Sequence, residues 1–337
     1  MAPIRRRVRP RRGAARLTVC GALLLGCCAT LPPAATAVRS AAAAVRTPVA
    51  AVRTPVAVTR TPMAVVRAPA GRDGAVETHA YGAHSRQVLT AYRPPGGAPG
   101  PGLVIVHGGY WAIDTDWSGW ARTFAAQGFT VFDVDYRLNS DARWPAQRDD
   151  VLAALGWIRR NAARFALTGD RLVLLGSSAG GQIVTNAGAY RAGGRQVAGV
   201  IALSPVASPY RAWLDGGTAD AAPEQRRLRR EAARLAGCEP VRTEGACGRV
   251  WRDMAARHHA SGADDAPMYL LHSAADFVPA GHAWDLAAAE RSAGMAAADI
   301  TVEVVPGDAH GAGLLEDPEV VAKVAAAAAA WTRGRTD

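Results

Sequence analysis

A mostly parallel, eight-stranded α/β sheet with helices on both faces is the fold this 337-residue chain predicts, on three observations. Short β-branched runs recur between residues 75 and 305. Helical patterns of ten or more residues separate the central ones. A single stretch of about sixty residues, 207–267, interrupts the alternation and reads as a cap insertion. Strands separated by helices of such length run parallel and are covered on both sides.

The elements follow in order. Residues 75–80 and 86–93 form an opening antiparallel pair turned at Tyr81-Gly82-Ala83. Residues 103–106 are short, β-branched and bounded by Gly/Pro before and His107-Gly108-Gly109 after, which marks a buried central strand. Strands at 130–136 and 172–175 have the same character, with helices at 117–127 and 146–161 between them. Further strands fit 197–203, 268–272 and 300–305, and a closing helix at 318–331 contains six consecutive alanines. The cap carries the helical PEQRRLRREAARLAG, the aromatics Tyr210, Trp213 and Trp251, and two cysteines. Its Arg226, Arg227, Arg229 and Arg230 read as a solvated helix face.

The formal charge of +10 belongs to one end of the chain. Residues 1–70 hold twelve Arg and no Lys, Asp or Glu. Removing those twelve from 39 basic residues leaves 27 against 29 acidic ones in residues 71–337. That portion is near neutral, so nucleic acid is not expected as its partner. Within the first seventy residues, seven Arg between Arg5 and Arg16 precede an apolar run at 17–26. Charge followed by hydrophobe is the order of a secretory signal, and about ten apolar residues fall well short of the roughly 20 a transmembrane span needs. Ala35-Thr36-Ala37 supplies a cleavage site before Val38, giving a signal over 1–37 and a secreted protein. Leu24-Leu25-Gly26-Cys27 resembles a lipobox, so a lipid anchor at Cys27 is an alternative, as is a cytoplasmic product starting at Met63. Residues 38–70 contain a seven-residue repeat with a Pro in each unit, which forbids a coiled coil and reads as a disordered tether. The domain then occupies 71–337, and its Cys238 and Cys247 are expected to join in an oxidising compartment. No His accompanies that spacing, so no zinc site is expected.

Gly176-Ser177-Ser178-Ala179-Gly180 follows the strand RLVLL and opens an apolar-periodic helix, the setting of a nucleophile elbow. Ser178 is the candidate nucleophile, and a serine hydroxyl needs a base. Among eight histidines, His310 sits in the Gly-rich loop Gly307-Asp308-Ala309-His310-Gly311 just after the last strand, where a base belongs. Asp276 follows the strand at 268–272 and completes the order Ser, Asp, His, with the task of fixing the imidazole tautomer. Asp308, two residues from His310, is expected to point away. The oxyanion donors are assigned to the backbone N–H groups of Gly109, Tyr110 and Ala179, with His107 and Gly108 supporting the loop. Trp111 and Trp117 are candidate walls of the substrate pocket.

Taken together, HGGYW, the DVDYRL stretch at 133–138, GSSAGG, HSAADFVP and GDAHG resemble the α/β-hydrolase superfamily. Within it the chain is similar to the secreted esterase/lipase group related to hormone-sensitive lipase and to feruloyl-esterase-like carboxylesterases. The resemblance covers residues 75–331 and implies acyl transfer without a cofactor or metal, through a Ser178 acyl-enzyme, on small to medium carboxylic esters. Two departures stand out: Tyr110 occupies the place of a third glycine, and HGGYW is also similar to the kynurenine formamidase branch. Ester and N-formyl amide substrates therefore both stay open, as does a catalytically silent binding protein of the same fold.

Overall fold

A computed structural model describes residues 74–240 and 244–333. The expected signal, Cys27 and the Pro/Arg repeat lie outside the described residues. Eight strands form one sheet: β1 (Val76–Ala80), β2 (Val88–Tyr92), β3 (Gly100–Val106), β4 (Thr130–Val134), β5 (Leu167–Ser177), β6 (Gly199–Leu203), β7 (Met268–Ser273) and β8 (Ile300–Val305). Their order is β1-β2-β4-β3-β5-β6-β7-β8. The pairs β1/β2 and β2/β4 are antiparallel and all others parallel.

The helices between them are α1 (Ser118–Ala126), α2 (Ala146–Arg160), α3 (Ala179–Ala189) and α7 (Gly281–Ser292), with α4 (Pro209–Asp215), α5 (Pro223–Ala236) and α6 (Gly245–Met254) between β6 and β7, and α8 (Pro318–Thr332) follows β8. Side-chain alternation along the strands builds two cores. Leu103, Ile105, Val173 and Leu175 face α1 and α8, whose Phe124, Val320 and Val324 complete one cluster. Val104, Val106, Leu172 and Leu174 face the other way, toward Val151, Leu155 and Ile158 of α2, Ile183 and Val184 of α3, and Leu286 of α7. Each such buried side chain contributes about 1.5–3 kcal/mol relative to exposure, so the central strands are the most firmly held part of the molecule. Among the described residues no helix is long and apolar enough to cross a membrane.

The segment between β6 and β7 rests on the second core. Leu228, Ala232 and Leu235 line one side of α5 and are buried. Cys238 and Cys247 are joined by a disulfide. The basic face expected on α5 is only partly solvated: Arg229 donates to the Trp213 carbonyl and stacks 3.7 Å from its ring, and Arg227 lies 4.3 Å over the Tyr110 ring. Both are half-buried, because their guanidinium groups cover aromatic surface contributed by other elements.

Candidate active site

Parallel strands deliver their following residues to one edge of the sheet, and there the motif residues gather. His107 follows β3, Ser178 follows β5, Ser204 follows β6, Asp276 lies three residues beyond β7, and His310 lies five beyond β8.

Ser178 has φ 53° and ψ −112°, a strained conformation for a residue with a Cβ, and it forms the N-terminal boundary of α3. It is held there by its N–H donating to the Leu203 carbonyl (2.8 Å), while its own carbonyl accepts from Gln182 N (3.0 Å) and Val206 N (3.2 Å). The motif's glycines are dictated by contact. A Cβ at Gly180 would lie 2.2 Å from the Val106 carbonyl oxygen, and one at Gly176 would lie 2.5 Å from a Val184 methyl. Ser178 is 6% exposed.

His310 and Asp276 meet directly, Nδ1 to Oδ1 at 2.8 Å. The same Asp276 oxygen accepts from Val278 N at 2.9 Å, and its side chain is fully buried, whereas that of His310 is 24% exposed. A carboxylate so fixed sets the imidazole tautomer, leaving Nε2 as the basic nitrogen. The two loops are stitched together: Ala275 N donates to Gly307 O (2.9 Å), and Ser273 Oγ to Ala309 O (2.6 Å). Gly311 N donates to Ser204 Oγ (2.9 Å), and a Cβ at Gly311 would lie 3.9 Å from that of Ser178, so the base loop abuts the elbow. Asp308 is exposed, away from this network.

The loop after β3 turns through three successive left-handed residues, Gly109 (φ 101°), Tyr110 (φ 59°) and Trp111 (φ 56°). Tyr110 holds this conformation without a glycine's freedom, and contacts on its ring offset the strain: Phe277 stacks 6.4 Å away and Arg227 lies above it. Behind the loop, Tyr136 stacks on His107 at 4.3 Å and its hydroxyl donates to the His107 carbonyl (2.9 Å). His107 Nδ1 lies 2.7 Å from the Gly108 carbonyl and Nε2 lies 3.3 Å from Asp135 Oδ1 and 3.6 Å from Asp114. His107, Asp114 and Asp135 bring one metal-ligating atom each within 4.8 Å of one another. Arg86 (3.3 Å) and the Tyr136 N–H (2.8 Å) already meet Asp135. Burial holds the Asp133 carboxyl on β4 up at about 7. The 133–138 stretch thus supports the loop from behind, with Arg137 clamping buried Asp150 at 2.6 and 2.9 Å.

Two expected pocket residues are placed elsewhere. Trp111 is fully buried, and its Nε1 donates to Gln182 Oε1 (3.0 Å) while Gln182 donates to the Met254 carbonyl (2.7 Å). It ties the loop to α3 and to the end of α6. Trp117, 2% exposed, belongs to the core on the opposite side of the sheet. A cavity of about 220 Å³ beside α4 and α6 has walls that include Ser208, Tyr210, Trp251, Ala255 and His258, with none of Ser178, Asp276 and His310 among its lining residues. Phe277, whose ring lies tilted 4.1 Å from that of His310, was not anticipated, nor were Ser204 and Ser273. In sequence, Phe277's place beside Asp276 was the only available signal.

A family model described as BD-FAE matches residues 89–197. Esterase LipC of Mycobacterium tuberculosis is 36% identical over 115 residues, covering 32% of this chain and 28% of LipC. Human hormone-sensitive lipase is 29% identical over 159 residues, 42% of this chain and 14% of that protein. The aligned segments thus span well under half of either relative. Among solved structures, brefeldin A esterase, described as a bacterial homologue of human hormone-sensitive lipase, superposes with a TM-score of 0.62 at 24% identity over 80% of each chain.

Proposed function

We propose, for a chain that belongs to the α/β-hydrolase superfamily and is similar to its hormone-sensitive-lipase-like esterases, that it hydrolyses small to medium carboxylic esters through a Ser178 acyl-enzyme. The observation that carries this reading is the 2.8 Å Asp276–His310 pair, brought beside a serine held in a strained turn. As Ser178 Oγ attacks the ester carbonyl, His310 Nε2 takes its proton, and Asp276 stabilises the imidazolium without being protonated itself. The oxyanion develops toward the backbone N–H groups of Gly109, Tyr110 and Ala179, each donor being worth about 3 kcal/mol in the transition state. Protonation by His310 releases the alcohol, and a water repeats the sequence to free the acid. The apolar cavity beside α4 and α6 accommodates one arm of the ester. What favours this cavity is that Ser208 on its wall lies two residues from Val206, whose N–H donates to the Ser178 carbonyl.

Fluorophosphonate labelling tests the nucleophile. Adduct on Ser178 of the folded protein is expected, and its absence sinks the enzymatic reading in favour of a silent binding protein. Ser178→Ala is expected to lower turnover by a factor on the order of 10⁶ with the fold intact. A panel of p-nitrophenyl esters against N-formylkynurenine separates the esterase from a formamidase. Secretion, with cleavage before Val38, is part of the proposal, and N-terminal sequencing of exported protein distinguishes it from lipidation at Cys27.

A further inference from the structure

A strip of aromatic rings leads away from the proposed base and ends at a cation. The Phe277 ring lies tilted against that of His310 (4.1 Å, 38°), Tyr110 stacks on Phe277 (6.4 Å, 17°), and the Arg227 guanidinium lies 4.3 Å above the Tyr110 ring. The strip joins the base loop, the acid loop, the oxyanion loop and α5. Gln225 Nε2 of α5 donates to the Phe277 carbonyl at 3.0 Å, tying that helix to the acid loop.

Arg227 differs from Arg226, Arg229 and Arg234 of the same helix, and from exposed Arg230 in being half-buried. Arg226 donates to the Ala219 carbonyl, Arg229 to the Trp213 carbonyl, and Arg234 pairs with Glu231 at 3.4 Å. No carboxylate or carbonyl among the described residues accepts from the Arg227 guanidinium, although the side chain is half-buried. Glu224, one turn earlier, is exposed and forms no ion pair with it. A planar guanidinium with its donors unspent, placed over an aromatic surface, is suited to bidentate recognition of a carboxylate carried on a flat apolar body.

We infer that Tyr110, Phe277 and Arg227 form a specificity subsite for esters bearing a carboxylate on an aryl group, the ring lying along Phe277 and Tyr110 and the carboxylate meeting Arg227. The inference rests on the ester-hydrolase reading above and narrows its substrate class. It also gives Tyr110 a purpose in the place of a third glycine: the left-handed backbone serves the oxyanion loop while the ring extends the strip.

The test compares kcat/KM of the full chain on two matched pairs. Monomethyl terephthalate against methyl 4-nitrobenzoate places the charge on the acyl side. 4-Acetoxybenzoate against 4-nitrophenyl acetate places it on the alcohol side. In each pair a nitro group replaces the carboxylate at similar shape, and the nitro ester reports any general damage. Arg227→Gln is expected to lower kcat/KM for one carboxylate ester at least about ten-fold more than for its nitro partner, and Arg227→Lys to restore part of the difference. The wild-type rate on that carboxylate ester should also fall with added salt, more than on its partner. Equal losses within both pairs would mean that Arg227 only props Tyr110 and would overturn the subsite, as would equal retention. Hydrolysis of the nitro esters with no turnover of either carboxylate ester refutes the subsite alone. No turnover of any of the four, with no fluorophosphonate adduct on Ser178, refutes the parent reading with it.

Discussion

Asp276 acts on His310 through a single proton, so its substitution is the most discriminating change at the residue scale. An Asn at 276 keeps the size but presents an amide that can donate to Nδ1, favouring the tautomer whose proton sits on Nε2, where the base must be empty. Asp276→Asn is therefore expected to lower kcat by roughly 10⁴ with little change in thermal stability. A loss of less than about ten-fold would pass the orienting role to another acid. Ser178, His310 and Asp276 are readable because each lies in a short motif directly after a strand, where local pattern and chain order suffice. Ser204, Ser273 and Phe277 are not, because what gives them a role is contact between loops far apart in sequence: Ser204 holds Gly311 across 107 positions and Ser273 holds Ala309 across 36. Trp111 and Trp117 look alike in sequence, but β3 and the loop after it send them to opposite sides of the sheet.

At the scale of elements, the cap segment is held by side-chain bonds to the body of the domain. Arg211 of α4 pairs with Asp285 of α7 (2.7 Å), Asn139 donates to Glu231 of α5 (2.9 Å), and Trp144 and Arg148 meet Asp253 of α6 at 2.6 and 3.1 Å. The disulfide joins the end of α5 to α6, and Trp251, a cavity wall, donates to the Cys238 carbonyl (3.1 Å). Closing so short a loop contributes about 2–3 kcal/mol on the chain-entropy model. The double substitution Cys238→Ser and Cys247→Ser should lower the melting temperature accordingly and raise KM before kcat. An unchanged melting curve would show that the cross-link carries no stability. Six of the eight strands were readable to within about two residues of their ends, and β3 was missed over its Gly100-Pro101-Gly102 start, which carries no β-branched residue. β5 was recognised only over its apolar half, because after half-buried Leu167 the residues Thr168 to Arg171 are all exposed and lack alternation. α4 went unread because it has only seven residues, beginning at Pro209 under a Ser208 cap that accepts from Arg211 N. Such a segment is fixed by its neighbours more than by its own pattern.

Over the whole molecule, the alternation of strands and helices announces a parallel sheet, but the order β2-β4-β3-β5 comes from pairings distant in sequence that no local signal encodes. The same long-range packing buries ionisable groups that sequence patterns leave unmarked, and these set how stability depends on pH. Glu290 of α7 is fully buried, and its Oε2 accepts weakly from Gly262 N at 3.4 Å; nearby Asp265 accepts from Ser261 N and Oγ at 2.5 and 2.6 Å. Burial first, and the Asp265 carboxylate second, push the Glu290 carboxyl far above its ordinary range, so the folded protein keeps that proton at neutral pH. The unfolded chain releases it near 4.5, so across the interval above that the folded state binds more protons and stability falls as pH rises, levelling once the folded carboxyl ionises. Burial acts oppositely on histidine: His272 is pushed down to about 4, so its contribution falls as pH drops from about 6.5 toward 4, and fully buried His282 adds to that acid limb. Wild-type stability should therefore peak near the crossover of the two limbs. Glu290→Gln removes the Glu290 share of the alkaline limb, leaving that of buried Asp133, while preserving shape and a donor toward Asp265. Thermal melts from pH 5 to 9 should show the variant gaining on wild type steadily as pH rises, with the acid limb common to both. Parallel curves would mean that Glu290 is ionised in the folded protein throughout, and that the alkaline loss of stability has another source.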